Sequence, residues 1–188
     1  RRAELPANAP AGDVGRGYIF LGSTQIGVTL GNVNGFNIEN LTPSLGVNLI
    51  GPGTAAAFGA TADSGDFNND GLRDLLVGTN AAGAEPNSAF LLYGLSNPIN
   101  FNAQNNLTVS TLGLVDYNSD GLRDGKIFSG IPSYGVQAIE TAVGNGGDLD
   151  NDGVDDILIG SARYDAGQSD SGVVFLAFGN STTNIHNL

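Results

Sequence analysis

GDFNNDGLRDLLVG, residues 65–78, and GDLDNDGVDDILIG, residues 147–160, both crowd acidic and Asn side chains into nine positions and then turn abruptly apolar. A third window, DYNSDGLRD, spans 116–124. All three obey D-x-[DN]-x-D-G-x-x-D. Side chains at positions 1, 3, 5 and 9 and a backbone carbonyl at position 7 of such a loop can converge on one hard cation, and Gly at position 6 permits the sharp turn. Without a cation, three or four carboxylates so close together repel one another; a divalent ion reverses that sign. An all-oxygen donor set with no His or Cys points to Ca2+ before Mg2+ and well before zinc.

The next residues exclude the helical versions of this motif. An EF-hand continues to a bidentate Glu at position 12, where this chain has Val77, Ile127 and Ile159. No helix is expected either, because LLVG and ILIG are short and read as strands. A single such window is often only an Asp/Asn/Gly turn at a hairpin. Recurrence of the same ligand positions argues against that reading for 66–74 and 148–156. The middle window differs, since it runs into Gly125-Lys126-Ile127 rather than an apolar strand.

Composition agrees with a loop-centred chemistry. The net charge of −12 comes from 19 acids against 7 bases, and eleven of the acids lie in the three windows. So few bases argue against nucleic-acid or anionic-membrane partners. No apolar run approaches the roughly 18 to 20 residues of a membrane-spanning helix. The absence of Cys excludes disulfides, thiolate metal sites and Cys nucleophiles. The chain starts at Arg1 and contains no Met, as expected of a processed or excised piece.

The chain also repeats. Tyr18-Ile-Phe-Leu-Gly22, Phe90-Leu-Leu-Tyr-Gly94 and Phe175-Leu-Ala-Phe-Gly179 are each aromatic, apolar and closed by Gly, as buried strands ending at a turn would be. No window shows a 3.6-residue apolar stripe. An all-β chain is expected, with strands near 17–21, 56–62, 74–78, 88–93, 106–110, 126–129, 137–143, 156–160 and 172–178. Residues 1–14 read as a linker or arm, 15–180 as the repeats and 181–188 as a tail. The aromatics Tyr18, Phe90, Tyr93, Phe175 and Phe178 are expected in the core.

GDFNNDGLRDLLVG followed by SAFLLYG, and GDLDNDGVDDILIG followed by SGVVFLAFG, resemble FG-GAP repeats. These are the blades of the integrin alpha N-terminal β-propeller and of many bacterial surface proteins. Phe58-Gly59 matches the FG of the signature, eight residues before Asp66. At equal spacing the second unit has Glu140-Thr141, and the GAP element is altered to Gly78-Thr79-Asn80 and Gly160-Ser161-Ala162. The resemblance implies four-stranded antiparallel blades with a calcium loop between their first two strands. It implies one Ca2+ on Asp66, Asn68, Asp70, the Leu72 carbonyl and Asp74. A second would lie on Asp148, Asp150, Asp152, the Val154 carbonyl and Asp156. A third is implied if Asp116, Asn118, Asp120, the Leu122 carbonyl and Asp124 close in the same way. With four carboxylate ligands against three, loop 148–156 should bind the tighter, and Asp155 is expected to point outward.

Two to three blades are too few to close a propeller, which needs about four to eight. Function is therefore expected to be that of a non-catalytic, calcium-stabilised extracellular or cell-surface module for adhesion or surface assembly. Its partners would be a protein or glycan surface ligand or other copies of itself. The alternatives are a filament or ring subunit completed by neighbouring chains, and a hydrolase-associated domain. Against catalysis stand a single His, His186, near the C-terminus and the absence of G-x-S-x-G, P-loop or H-E-x-x-H motifs. Asn40, Asn106 and Asn180 begin glycosylation sequons, which chance also supplies in an Asn-rich chain.

Overall fold

A computed structural model describes residues 15–20, 41, 46–52, 58–79, 87–94, 106–108, 125–131, 141–162 and 172–179. Their regular structure is all β, in ten strands. In chain order these are β1 (Arg16–Phe20), β2 (Gly46–Ile50), β3 (Thr61–Gly65), β4 (Asp74–Gly78), β5 (Asn87–Leu92), β6 (Asn106–Thr108), β7 (Gly125–Ile131), β8 (Thr141–Gly147), β9 (Asp156–Ser161) and β10 (Val173–Ala177). They form a first sheet β1-β2-β6, a central sheet β3-β4-β5-β7 and a last sheet β10-β9-β8.

The central sheet is antiparallel throughout, and loop 66–74 joins its first two strands. The last sheet repeats that hairpin: β8 pairs with β9 around loop 148–156, and β10 then pairs with β9. Register makes the two units directly comparable. Leu75, Leu76 and Val77 face Leu92, Leu91 and Phe90 across the central sheet, as Ile157, Leu158 and Ile159 face Ala177, Leu176 and Phe175 across the last. The first sheet departs from this plan, since β2 pairs with β6 in parallel and so ties residues 106–108 to the start of the chain.

Strand alternation gives the central sheet two apolar faces. One carries Val77, Phe90 and Leu92 against Val47, Leu49 and Phe58, with Ile19, Leu75 and Ile127 around them. Phe58 meets Phe90 edge to face, centroids 5.7 Å apart at 74°, an arrangement worth about 0.5–1.5 kcal/mol beyond its buried area. The opposite face carries Phe67, Leu76, Ala89 and Leu91 against Ile157 and Ile159, with Val143 and Ala177 beside them. The central sheet is thus sandwiched between the other two, a stack of propeller-type blades too short to close on itself.

Several expected boundaries move. The strand expected at 56–62 lies at Thr61–Gly65, with Phe58 to Ala60 in a turn, and the one expected at 137–143 lies at Thr141–Gly147. TADSG and TAVGNGG have little β-propensity of their own. They are strands because β4 and β9 offer continuous ladders beside them. Gly46–Ile50 was not expected, yet it pairs with β1. Phe90 is buried and Tyr18 and Tyr93 half-buried, but Phe175 and Phe178 are exposed, contrary to the expectation that they belong to the core. β10 is an edge strand of the last sheet, and no described sheet covers that sheet's outer face.

Candidate metal-binding loops

Loops 66–74 and 148–156 are built by one pattern of hydrogen bonds. In the first, Asp66 accepts from the Asp70 and Gly71 amides at 3.1 and 3.0 Å, Asn68 Oδ1 from the Asp70 amide at 3.2 Å, and Asp70 from the Leu72 amide at 2.7 Å. In the second, Asp148 accepts from the Asp152 and Gly153 amides, both at 2.9 Å, Asp150 from the Asp152 amide at 3.3 Å, and Asp152 from the Val154 amide at 2.9 Å. The turn requires left-handed backbone at the fourth and sixth positions. Asn69 and Asn151 have φ of 57° and 62°, and Gly71 and Gly153 have φ of 82° and 93°. Gly takes that conformation without steric cost, and Asn tolerates it better than other side chains do.

The ninth-position carboxylates have a second role that the spacing alone does not reveal. Asp74 is 1 % exposed, and its two oxygens accept from the amides of Phe67 and Gly94, each at 2.8 Å. Asp156 does the same with Leu149 at 2.8 Å and Gly179 at 2.9 Å. Each therefore clamps its loop to the end of the third strand of its sheet. The recurrent closing Gly follows from this approach: a Cβ on Gly94 would lie 2.6 Å from the Arg73 carbonyl oxygen, and one on Gly179 would collide with the Asp155 carbonyl.

Electrostatics mark both loops as short of positive charge. Burial first, and then the neighbouring charges of Asp70 and Asp66, push Asp74 up to about 6 against two amide hydrogen bonds that lower it. Asp150 is also raised, by desolvation and by the charges of Asp152, Asp156 and Asp148. Burial, with the charge of Asp74, pushes the Tyr93 phenol up to about 12.

Asp148, Asp150 and Asp152 each offer a carboxylate oxygen within 4.8 Å of the others. In loop 66–74 the side chains of Asn68 and Asp70 meet at 3.0 Å, Asn68 Nδ2 donating. Leu72 and Val154 occupy the seventh position in both loops, their amides fixed on the fifth-position carboxylates. A hard divalent cation fits this chemistry: the donors are oxygens, and a divalent charge among them would offset the mutual repulsion of the clustered carboxylates. Asp66, Asn68, Asp70, Leu72 and Asp74 would hold one ion, and Asp148, Asp150, Asp152, Val154 and Asp156 another. Asp116, Asn118, Asp120, Leu122 and Asp124 lie outside the described residues, as do His186 and the Asn40 and Asn180 sequons.

Asp155 corrects an expectation. It does not point outward: its carboxylate accepts from the Asp66 amide at 3.1 Å and from Asn145 Nδ2 at 3.0 Å, and its own amide donates to the Asp66 carbonyl at 3.2 Å. Asn145 adds a bond from its amide to Asp63 at 2.8 Å and one from Nδ2 to the Ser64 carbonyl at 3.3 Å. That amide, with the Ser64 amide, holds the Asp63 carboxyl below its ordinary value. The first residue of one loop is therefore anchored on the residue just before the last ligand position of the other. Asn at the fourth loop position was a readable signal of the turn; these links between sheets had none.

A search of curated proteins finds no match to the chain. Residues 58–93 match the FG-GAP repeat family, from the Phe58-Gly59 pair through loop 66–74 to Tyr93 beyond β5, and this segment of the chain is an FG-GAP repeat.

Proposed function

We propose that the chain is a calcium-stabilised, non-catalytic β-propeller-type module that serves adhesion or surface assembly outside the cell. The observation that carries this reading is the shared build of loops 66–74 and 148–156, which draws Asp148, Asp150 and Asp152 within 4.8 Å of one another at the entrance to a strand. Both loops connect the first two strands of a sheet, so an ion there would fix the hairpin and offset its charge. Extracellular calcium suits such sites, since surface modules function with dissociation constants of about 10⁻⁴ to 10⁻³ M. At free calcium about 100 times the dissociation constant, each ion would stabilise the fold by about 2.7 kcal/mol, a large part of a domain's stability. FG-GAP repeats occur in extracellular and surface proteins, which supports the same location. The partner would be a protein or glycan surface ligand, or further copies of the chain.

Calorimetric titration with calcium, alongside thermal melts in calcium and in chelator, tests this function. Binding heat and a raised melting temperature are expected, and Asp148→Ala should remove one site. Equal melting in the two buffers with no binding heat would refute the reading. Calcium-dependent retention on immobilised extracellular glycans or matrix proteins tests the adhesive role.

A further inference from the structure

Loops 66–74 and 148–156 belong to different sheets, yet one residue of the second holds both backbone groups at the first ligand position of the other. Asp155 Oδ2 accepts from the Asp66 amide at 3.1 Å, and the Asp155 amide donates to the Asp66 carbonyl at 3.2 Å. Two bonds to one residue fix the position and the orientation of the Asp66 backbone, and so the direction in which its carboxylate leaves the chain. That carboxylate organises its own loop, since it takes the Asp70 and Gly71 amides.

Asn145 supports the junction. Its Nδ2 donates to Asp155 Oδ2 at 3.0 Å and to the Ser64 carbonyl at 3.3 Å, and its Oδ1 accepts from the Gly147 amide at 2.7 Å. Just before Asp66, a Cβ on Gly65 would stand 2.8 Å from Asn145 Nδ2 and 2.9 Å from Asp155 Oδ2, so these side chains press on bare backbone. Just after it, Phe67 is buried in the same cluster as Ile157 and Ile159. Asp66 is thus bonded to the last sheet, and its neighbours on both sides are packed against it.

Asp155 stands at the eighth position of its own loop, between the seventh-position carbonyl of Val154 and the ninth-position carboxylate of Asp156. Drawing both of these toward a cation would fix the backbone on each side of Asp155. The eighth position is Arg73 in loop 66–74 and Arg123 in 116–124, and Arg73 turns to the Ser64 carbonyl of its own sheet at 3.1 Å. The link is therefore no part of the D-x-[DN]-x-D-G-x-x-D pattern.

We propose that loops 66–74 and 148–156 bind their cations cooperatively, each raising the affinity of the other, and that Asp155, supported by Asn145, is the positioning residue that couples them. This inference rests on the calcium reading of the two loops and not on the adhesive role. Ordering loop 148–156 sets Asp155, and Asp155 sets Asp66, so the second loop to fill loses less conformational entropy on closing. By linkage the effect is equal in both directions. Its sign is diagnostic, because two divalent cations repel and through-space electrostatics alone would weaken the second site.

Calorimetric titration of the full chain with calcium tests it, with far-UV circular dichroism verifying the fold of each variant. All chains carry Asp116→Ala, so that only these two loops titrate. Asp148→Ala and Asp70→Ala each leave one loop intact. The quantity read is the product of the two stepwise association constants of the two-loop chain, divided by the product of the constants of the two single-loop chains. That ratio should be about tenfold higher with Asp155 present than in Asp155→Ala, within the range of about 5- to 150-fold typical of coupled sites. Charge removed by Asp148→Ala or Asp70→Ala cancels in this comparison. Asp155→Asn keeps the acceptor oxygen and should keep the high ratio. Asn145→Ala, which leaves the charge unaltered, should lower it, and provides the test if Asp155→Ala does not fold. A ratio indifferent to folded Asp155→Ala or to Asn145→Ala overturns the proposal, as does an Asp155→Asn chain that behaves like the alanine variant. Binding at both loops with equal ratios overturns the coupling alone, whereas absence of binding heat at either loop overturns the calcium reading with it.

Discussion

Replacing Asp74 by Asn separates the two roles of the ninth loop position, because the size of the effect depends on calcium. In the metal-free protein two contributions oppose. The amide keeps the shape of the carboxyl but presents a donor to one of the two buried amides, Phe67 or Gly94, that Asp74 accepts. A buried N–H left without an acceptor costs about 1–3 kcal/mol. Against that, burial raises the Asp74 carboxyl from 3.8 to about 6, so its ionised form at neutral pH costs the fold about 3 kcal/mol at 1.36 kcal/mol per pH unit. Asn removes that cost. The net change in chelator is therefore near zero, within about 2 kcal/mol of either sign. In saturating calcium the ionised Asp is no longer a burden. Where the substitution abolishes binding, it also forfeits the linkage contribution of about 2.7 kcal/mol at a hundredfold excess over the dissociation constant, which already includes the relief of that burden. The loss in calcium should therefore exceed the change in chelator by about 2.7 kcal/mol. Urea unfolding of both proteins in calcium and in chelator measures the four free energies, and calorimetry verifies saturation. Equal destabilisation in the two buffers would refute the coupling of this carboxylate to the ion.

Further outcomes follow from the same contacts. In chelator, stability should fall as pH rises from about 4 through about 6, because Asp74 holds its proton more tightly in the fold than in the unfolded chain. Calcium should abolish that slope; a chelated protein that gains stability over this interval contradicts it. The lowered Asp63 carboxyl contributes in the opposite sense, its share being lost only on acidification below its ordinary 3.8. Asp155→Ala removes the acceptor of the Asp66 amide and of Asn145 Nδ2 and should destabilise the protein by about 1–3 kcal/mol; urea midpoints indistinguishable from wild type would show that the link between the sheets contributes nothing. Asn68→Asp gives loop 66–74 the carboxylate count of loop 148–156 and should tighten its calcium affinity on the order of tenfold, read by calorimetry in a chain whose other loop carries Asp148→Ala.

The nine-residue spacing D-x-[DN]-x-D-G-x-x-D and the apolar runs after Asp74 and Asp156 determined the loops, the strands β4 and β9 and the all-β class. Each depends on residues close in the chain, where spacing alone decides which groups can meet. The strands β3 and β8, the parallel β2–β6 pair and the bridge from Asp155 to Asp66 were decided only by tertiary structure. TADSG and TAVGNGG become strands because a neighbouring ladder satisfies their backbone, and Asp155 turns inward because a sheet 89 residues earlier presents an amide to it. Burial, too, belonged to the assembled sheets. The repeat pattern makes Phe90 and Phe175 equivalent, but β5 lies between β4 and β7 whereas β10 is the edge strand of its sheet, so Phe90 is covered and Phe175 is 40 % exposed.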